Sequence, residues 1–185
     1  MDDILRLFAK KVSLGKIDIY NEFSLQHEIG IFLRKYFPED KVQFERNISD
    51  FDFTRDDFIK KEIDISILSK GMSSLHCAIE LKFPRNGQYP EQMFNFCKDI
   101  MFVEQLKYAG FSRSFFIVFA DDPLFYQGQG EGIYGYFRKK HTLHGKIQKP
   151  TGRKDTEVFI RGSYKIYCNP VKDKLQYTFI EVTKG

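Results

Sequence analysis

The sequence predicts an α/β protein in which helices flank a mixed central sheet, with a β extension at the carboxyl end. Two observations support this class: residues 62–83 alternate apolar and polar side chains in two runs, and the stretches before and after have apolar residues at helical spacing. The 185 residues suit one domain that buries about 70% of its unfolded surface. We expect a single domain over 1–185, with its core at about 20–120.

The amino-terminal half predicts a helix followed by three strands. Residues 21–37 place apolar side chains at helical spacing, and Pro38 ends the pattern. Residues 41–48 alternate as a first strand. The two runs within 62–83 are joined by a turn that contains Gly and Ser, so they predict a hairpin of the second and third strands.

A long helix and a fourth strand follow the hairpin. Residues 89–109 have a helical apolar stripe, with Pro90 near its start and Gly110 just past its end. The unbroken apolar run at 115–120 is typical of a strand that is covered on both faces. The predicted order of the core is therefore helix, three strands, helix and strand.

The last part of the chain, about 131–185, predicts a basic loop and a β extension. Its strands are expected at 157–161, 164–169 and 175–182, the last two joined through a Pro- and Lys-containing turn. We expect these strands to form a small sheet that is appended to the core.

The predicted hairpin places two acids opposite each other. A turn centred on Met72 pairs residues whose numbers sum to 144, so Asp64 faces Glu80 with Cβ atoms about 5 Å apart. Two carboxylates at that distance repel, and a divalent cation such as Mg²⁺ that takes an oxygen from each relieves the repulsion. The alternative is an exposed cross-strand pair, but like charges directly opposite are disfavoured there. Lys82, one pleat along the same face, adds a positive charge at the edge of the site.

This hairpin resembles the motif of the PD-(D/E)xK nuclease superfamily, because Asp64 is followed at a spacing of sixteen residues by Glu80-Leu81-Lys82. Ile63 stands where the motif has its name-giving Pro, which many members lack. The order of predicted elements over about 20–120 is also similar to the restriction-endonuclease-like αβββαβ core of that superfamily.

The resemblance implies a metal-dependent nuclease that hydrolyses phosphodiester bonds, an endonuclease on double-stranded DNA of restriction, phage-defence or repair type. It implies that Asp64, Glu80 and the Leu81 carbonyl hold Mg²⁺ or Mn²⁺. Lys82 would orient or activate the attacking water and stabilise the developing charge. A structure-specific nuclease or one that acts on RNA is an open alternative.

A further carboxylate is expected from the first helix. Glu28 lies three residues after Leu25 and four before Phe32, close to the apolar stripe, where an unpaired carboxylate is costly. It is a candidate ligand for a second metal or a metal-bound water. Glu22, on a similar face, competes for this role.

A basic run at 138–154 contains seven Lys and Arg residues and no acid, whereas the net charge of the chain is only +4. With its Gly and Pro residues it predicts an exposed loop that contacts a phosphate backbone, and a solvated loop without a ligand is the alternative. The candidate contacts to nucleic acid are Lys139, Lys140, Lys146, Lys149, Arg153 and Lys154.

The remaining composition bears on location and partners. Three cysteines far apart in the chain fit reduced thiols, and the acidic amino terminus is unlike a leader, so a cytoplasmic protein is expected. No apolar run approaches the roughly 20 residues of a membrane span. The expected partner is double-stranded DNA, and a homodimer is left open. The alternative from another class is a non-catalytic nucleic-acid-binding or protein-interaction domain, which the presence of all of Asp64, Glu80 and Lys82 disfavours.

Overall fold

Helices and strands alternate along the chain in the computed structural model, which describes residues 1–85, 87–152 and 156–182. The helices are α1 (Asp2–Ser13), α2 (Glu22–Tyr36), α3 (Tyr89–Ala109) and the short α4 (Tyr134–Phe137). The strands are β1 (Lys41–Asn47), β2 (Glu62–Leu68), β3 (Leu75–Lys82), β4 (Arg113–Ala120), β5 (Leu143–Gln148), β6 (Glu157–Tyr164), β7 (Asn169–Lys172) and β8 (Leu175–Glu181).

The central sheet has six strands in the order β1-β2-β3-β4-β8-β7. β3 and β4 are parallel and are connected through α3, and the other neighbours are antiparallel. The predicted mixed sheet flanked by helices is therefore confirmed. The predicted order of elements is also observed, because α2, β1, β2, β3, α3 and β4 follow one another within a residue or two of the expected bounds.

The hairpin of β2 and β3 has the predicted register. Three successive pairs have residue numbers that sum to 144, and a bulge after Ile67 shifts the pairing nearer the turn. These pairs are Ile65↔Ile79, Ser66↔Ala78 and Ile67↔Cys77. Because side chains alternate along a strand, this register puts Asp64 and Glu80 on the same face of the hairpin.

Each face of the sheet is covered by its own layer. α1 and α2 pack on one face, where Phe8 of α1 makes edge-to-face contacts with Phe32 of α2 and Phe119 of β4. α3 and the separate two-stranded β5–β6 sheet cover the other face, and their apolar residues form one cluster with Phe116 and Ile180. The prediction from sequence did not include α1, although Leu5, Phe8, Ala9 and Val12 recur there at helical spacing and are buried.

Three predictions for the carboxyl-terminal part are wrong. Residues 143–148 are not a loop but strand β5, in which Leu143 and Ile147 are buried and His144 and Lys146 are exposed. No strand spans 164–169, since β6 ends at Tyr164 and β7 begins at Asn169. β7 and β8 do not form an appended sheet: β8 pairs with β4 and extends the central sheet, which satisfies main-chain groups of β4 that would otherwise be an open edge.

Among the described residues, no helix combines the length and the apolar character that a membrane span requires. The three cysteines are unpaired, and Cys77 and Cys97 are buried on the faces that the apolar patterns predict.

Candidate functional site

An acid pair lies at the ends of β2 and β3, on the side of the sheet that α3 covers. Glu80 is fully buried, and its Oε1 accepts a hydrogen bond from the Asp64 N–H at 3.3 Å. The Asp64 Oδ2 in turn accepts from the Leu81 N–H at 2.7 Å. Each carboxylate is thus held by the main chain of the other strand, so the predicted proximity of Asp64 and Glu80 is confirmed.

Two residues that were not predicted complete the cluster. The Lys60 ammonium donates to Glu80 Oε2 and, at 2.9 Å, to Asp99 Oδ1 of α3. Asp99 is only 3% exposed. Its position three residues after Phe96 and four before Val103 is the kind of signal that singled out Glu28, a carboxylate on an apolar stripe. Lys60 has no comparable signal, because it lies in an irregular stretch just before β2.

Lys82 bridges the cluster and the start of α2. Its Nζ donates to the Leu81 carbonyl at 2.7 Å and lies 3.8 Å from Asp99 Oδ2. On the other side it donates to Glu22 Oε1 at 3.2 Å, and Glu22 Oε2 accepts from the Phe83 N–H at 3.1 Å. The ammonium of Lys82 is therefore positioned by acids from two different helices.

The start of α2 explains why Glu22 reaches the site. Asn21 and Ser24 form a reciprocal capping box, which places Glu22 in the first turn, where the helix dipole favours an acid. Gln26, one turn later, donates to the Asp64 carbonyl at 3.1 Å. Glu28 lies about 200° around the helix from Gln26 and, among the described residues, makes no hydrogen bond or ion pair with the cluster. The contacts therefore favour Glu22 over Glu28 as the helix carboxylate.

β1 is distorted beside Asp64. The β1–β2 pairing includes Phe44↔Ile65 and Arg46↔Ile63, and between them Glu45 adopts a left-handed φ of 49°. This conformation costs a non-Gly residue about 1–2 kcal/mol. Gln26 joins the carboxylate of Glu45 to the Asp64 carbonyl, so the distortion links α2 to the strand that carries Asp64.

The electrostatics of the cluster show an excess of buried negative charge. Burial raises the pKa of the Asp64 carboxyl to about 6, against the opposing effect of Lys82 and Lys60. Burial, and next the Asp64 carboxylate, raise the pKa of Glu80 well above its usual range, and Lys60 opposes them. Burial lowers the pKa of both lysines, but the carboxylates outweigh it, so both pKa values are raised and both lysines stay charged. Two ammonium groups do not compensate the acids fully.

The donor atoms fit a hard divalent cation. Asp64, Glu80 and Asp99 offer carboxylate oxygens and Leu81 offers a carbonyl, which are the ligands that Mg²⁺ and Mn²⁺ prefer. Asp99 Oδ2 is buried without a hydrogen-bond partner, so it has an acceptor position to spare. In the described residues, no three His, Cys, Asp or Glu side chains are already close enough together to hold a metal ion, and the Lys60 ammonium lies between Glu80 and Asp99.

Two of the lysines that were predicted to contact nucleic acid, Lys146 and Lys149, form ion pairs with acids. Lys146 Nζ lies 2.6 Å from Glu157, and Lys149 Nζ lies 3.5 Å from Glu91 in the first turn of α3. Lys139 lies over the Tyr167 ring, and Lys140 is exposed with no ion pair among the described residues. Arg153 and Lys154 lie outside the described residues. Ion pairs at the surface contribute little, so they leave these lysines available to phosphates.

The basic surface formed by Lys146 and Lys149 contacts α3, the helix that also carries Asp99 of the acid cluster. Lys149 and the Thr151 hydroxyl both contact Glu91, and Asp99 follows eight residues later on α3. With a rise of 1.5 Å per residue, the two positions are about 12 Å apart along the helix axis. Lys146 and Lys149 also line a cavity of about 590 Å³, together with Tyr136 and His141.

Comparisons with models of protein families, with curated proteins and with solved structures find no match to this chain. Its function is therefore inferred from the geometry of its own residues.

Proposed function

We propose that the protein is a metal-dependent nuclease of the PD-(D/E)xK type, with the restriction-endonuclease-like core, and that it cleaves double-stranded DNA internally. One observation carries the proposal: Asp64, Glu80 and Lys82 converge at the end of one hairpin beside the Leu81 carbonyl, although sixteen residues separate the two acids. A buried acid pair next to a charged lysine is costly to stability, which favours a functional role.

These contacts support a role for each residue in the reaction. Asp64, Glu80 and the Leu81 carbonyl would hold Mg²⁺ or Mn²⁺. When bound, such a metal polarises the scissile phosphate and acidifies a water molecule. Lys82 would orient the attacking water and stabilise the charge that develops on the phosphate, since its ammonium lies 2.7 Å from the Leu81 carbonyl. Glu22 holds the Lys82 side chain in place and acts as a positioning residue.

The basic surface supports a nucleic acid as the substrate. Lysines attract a phosphate backbone without regard to sequence, and Lys149 lies about 12 Å along α3 from the acid cluster. A duplex that contacts both places would present its backbone to the hairpin. Contacts of this kind position the DNA, whereas base contacts would be needed for sequence specificity.

A second candidate is a non-catalytic nucleic-acid-binding or protein-interaction domain. It is favoured by Lys60, whose ammonium pairs with both Glu80 and Asp99 without any metal. In that case the cluster would be a structural ion network.

A cleavage assay separates the two candidates. Supercoiled plasmid, linear duplex, single-stranded DNA and RNA are incubated with the protein in Mg²⁺, in Mn²⁺ and in EDTA. We expect metal-dependent cleavage of duplex DNA, its loss in Asp64→Asn together with metal binding, and its loss in Lys82→Ala with most metal binding kept. Lys61→Ala, a change of an exposed neighbour of Lys60, should leave cleavage unchanged. If the wild type cleaves none of the four substrates, or Asp64→Asn cleaves as fast as the wild type, the nuclease proposal is wrong.

A further inference from the structure

We infer that Asp99 is a third carboxylate of the cation site, and that Lys60 is an internal counter-ion that must leave Glu80 and Asp99 before a divalent cation binds. The inference rests on the proposed function for the identity of the cation. It extends that proposal by assigning two residues outside the Asp64, Glu80 and Lys82 motif.

Asp99 has the properties of an incompletely used ligand. Its carboxylate is almost fully buried between α3 and the sheet, and Oδ1 accepts from Lys60. Oδ2 has no hydrogen-bond partner and is 3.8 Å from the Lys82 ammonium, too far for a hydrogen bond. A buried carboxylate oxygen without a partner costs free energy. Coordination of a cation by Oδ2 would offset that cost.

Lys60 has the properties of a counter-ion that can leave. Its side chain is 29% exposed, whereas those of Glu80 and Asp99 are 0% and 5% exposed, so the ammonium has a path to solvent that the acids lack. The residue lies outside regular secondary structure, and its Nζ is 5.5 Å from the centre of the Phe102 ring. Under this inference, rotation of its four-carbon stem carries the ammonium outward while β2 and α3 stay in place.

Lys60 has to move because its ammonium and a divalent cation repel each other. A divalent cation between Glu80 and Asp99 would lie within a few ångströms of the Lys60 ammonium, and like charges at that distance repel strongly in a buried site. The ammonium supplies one charge and three donors, whereas Mg²⁺ supplies two charges and takes carboxylate oxygens at about 2.0–2.1 Å. Replacement of the ammonium by the metal is therefore favourable only when the metal compensates for the loss of the ion pairs of Lys60 with Glu80 and Asp99. Lys60 partly compensates the charge of the two acids in the metal-free protein, at the expense of metal affinity.

Metal titration tests the exchange. Mg²⁺ is titrated into wild type, Lys60→Met, Lys60→Arg and Lys61→Met by calorimetry, and free Mn²⁺ is counted by electron paramagnetic resonance. Met removes the charge but keeps an unbranched side chain. We expect Lys60→Met to bind either metal at least about tenfold more tightly than the wild type, because the competitor is gone. Lys60→Arg keeps the charge and should stay near the wild type, and Lys61→Met, the matched control at an exposed position, should be unchanged.

Asp99 is tested in the Lys60→Met background, where its ion pair with Lys60 no longer complicates the result. Addition of Asp99→Asn should weaken metal binding about tenfold if Asp99 is a ligand. Equal affinity of the single and double variants would show that Asp99 does not bind the cation.

Stability provides a second readout, in case Lys60→Met folds poorly without metal. Thermal unfolding in EDTA and in excess Mg²⁺ should then show a larger rise in Tm for Lys60→Met than for the wild type. Unchanged or weaker metal affinity in folded Lys60→Met, or an unfolded variant that Mg²⁺ does not rescue, overturns the inference. An inactive protein whose metal affinity rises in Lys60→Met would remove the nuclease proposal and keep this one, and an active protein with unchanged affinity would do the reverse.

Discussion

Two buried glutamates on the α3 side of the sheet have opposite surroundings. Glu104 of α3 accepts from the Arg161 N–H at 3.0 Å, the Gly162 N–H at 2.7 Å and the Tyr164 hydroxyl at 2.9 Å. All three donors are neutral and belong to β6. Glu80 accepts from one main-chain N–H and one lysine, and it has a second carboxylate, Asp64, against it.

The difference is between a carboxylate that fixed neutral donors satisfy and one whose partners include a second acid and a partly exposed lysine. Glu104 is satisfied by fixed donors, and it ties the β5–β6 sheet to α3. Burial, and next the Glu104 carboxylate, raise the pKa of Tyr164, so that hydroxyl remains a donor at neutral pH. Glu80 is crowded by acids and held by a lysine with access to solvent, which under our proposal gives way to a divalent cation. The burial of an acid is common to both residues, so the charge of the partners and their access to solvent are what distinguish Glu80 from Glu104.

The largest effect is expected from removal of the satisfied acid. Glu104→Ala leaves three donors of β6 without an acceptor, each at a cost of about 1–3 kcal/mol, so we expect the free energy of unfolding to fall by at least about 3 kcal/mol. Urea denaturation in EDTA measures it. Glu80→Gln should change stability far less but abolish metal binding. If Glu80→Gln costs more stability than Glu104→Ala, the contrast between the two acids is wrong.

The pH dependence of stability is the next largest effect. The pKa of Asp64 is about 6 in the folded protein and 3.8 ordinarily, so the folded state binds this proton more tightly than the unfolded state. The contribution of Asp64 to the stability of the metal-free wild type should therefore fall as pH rises from about 4 to 6, by an amount on the order of 1–3 kcal/mol, and then level off. Glu80, whose pKa is also raised, adds a fall of its own in both the wild type and variants at Asp64.

Asp64→Asn has no such proton to lose. The free energy of unfolding of Asp64→Asn, measured by urea denaturation in EDTA, should rise relative to that of the wild type between about pH 4 and 6. Above pH 6 the difference between the two proteins should stay constant. A difference that is flat between pH 4 and 6, or that has the opposite sign, would show that the surroundings of Asp64 do not penalise its charge.

A smaller effect is expected at the start of α2. Because Glu22 contacts Lys82, Glu22→Gln should lower kcat about tenfold, with KM changed less, whereas Glu28→Gln should stay within about twofold of the wild type. Steady-state cleavage of duplex DNA measures both. The reverse ranking would assign the helix carboxylate to Glu28, as the apolar stripe of the sequence suggests.

The smallest effect is expected on DNA affinity, from Lys146 in β5 and Lys149 just after it. If Lys146 and Lys149 both contact phosphates, their joint replacement by Gln should reduce the slope of log affinity against log salt by about 1.8 and weaken binding to all sequences alike. Titrations of catalytically inactive protein with duplex DNA at several salt concentrations measure the slope. A double Gln variant at Lys10 and Lys16, which are exposed on the layer of α1, is the control. Equal slopes in the two double variants would place the DNA elsewhere.

The local elements of this protein could be predicted from its amino-acid sequence. Alternation of apolar residues predicted the hairpin and its register, because a strand that is buried on one face cannot slip by one residue without exposing that face. Helical spacing with Pro90 and Gly110 at the ends predicted α3 to the residue. The proximity of Asp64 and Glu80 followed from register alone, since both belong to one hairpin.

The residues from distant parts of the chain that join this pair could not be predicted, because they depend on how the elements pack. Lys60 and Asp99 are 39 residues apart, and they meet because α3 packs across the sheet. The partner of β4 was likewise decided by packing: β8, some 60 residues later, covers its open edge. In β5 the apolar alternation is interrupted by Gly145, so Leu143 and Ile147 were recognised as buried only once the β5–β6 sheet packed against α3. Patterns of side chains report contacts within one element, whereas contacts between elements depend on how the whole chain buries its apolar surface.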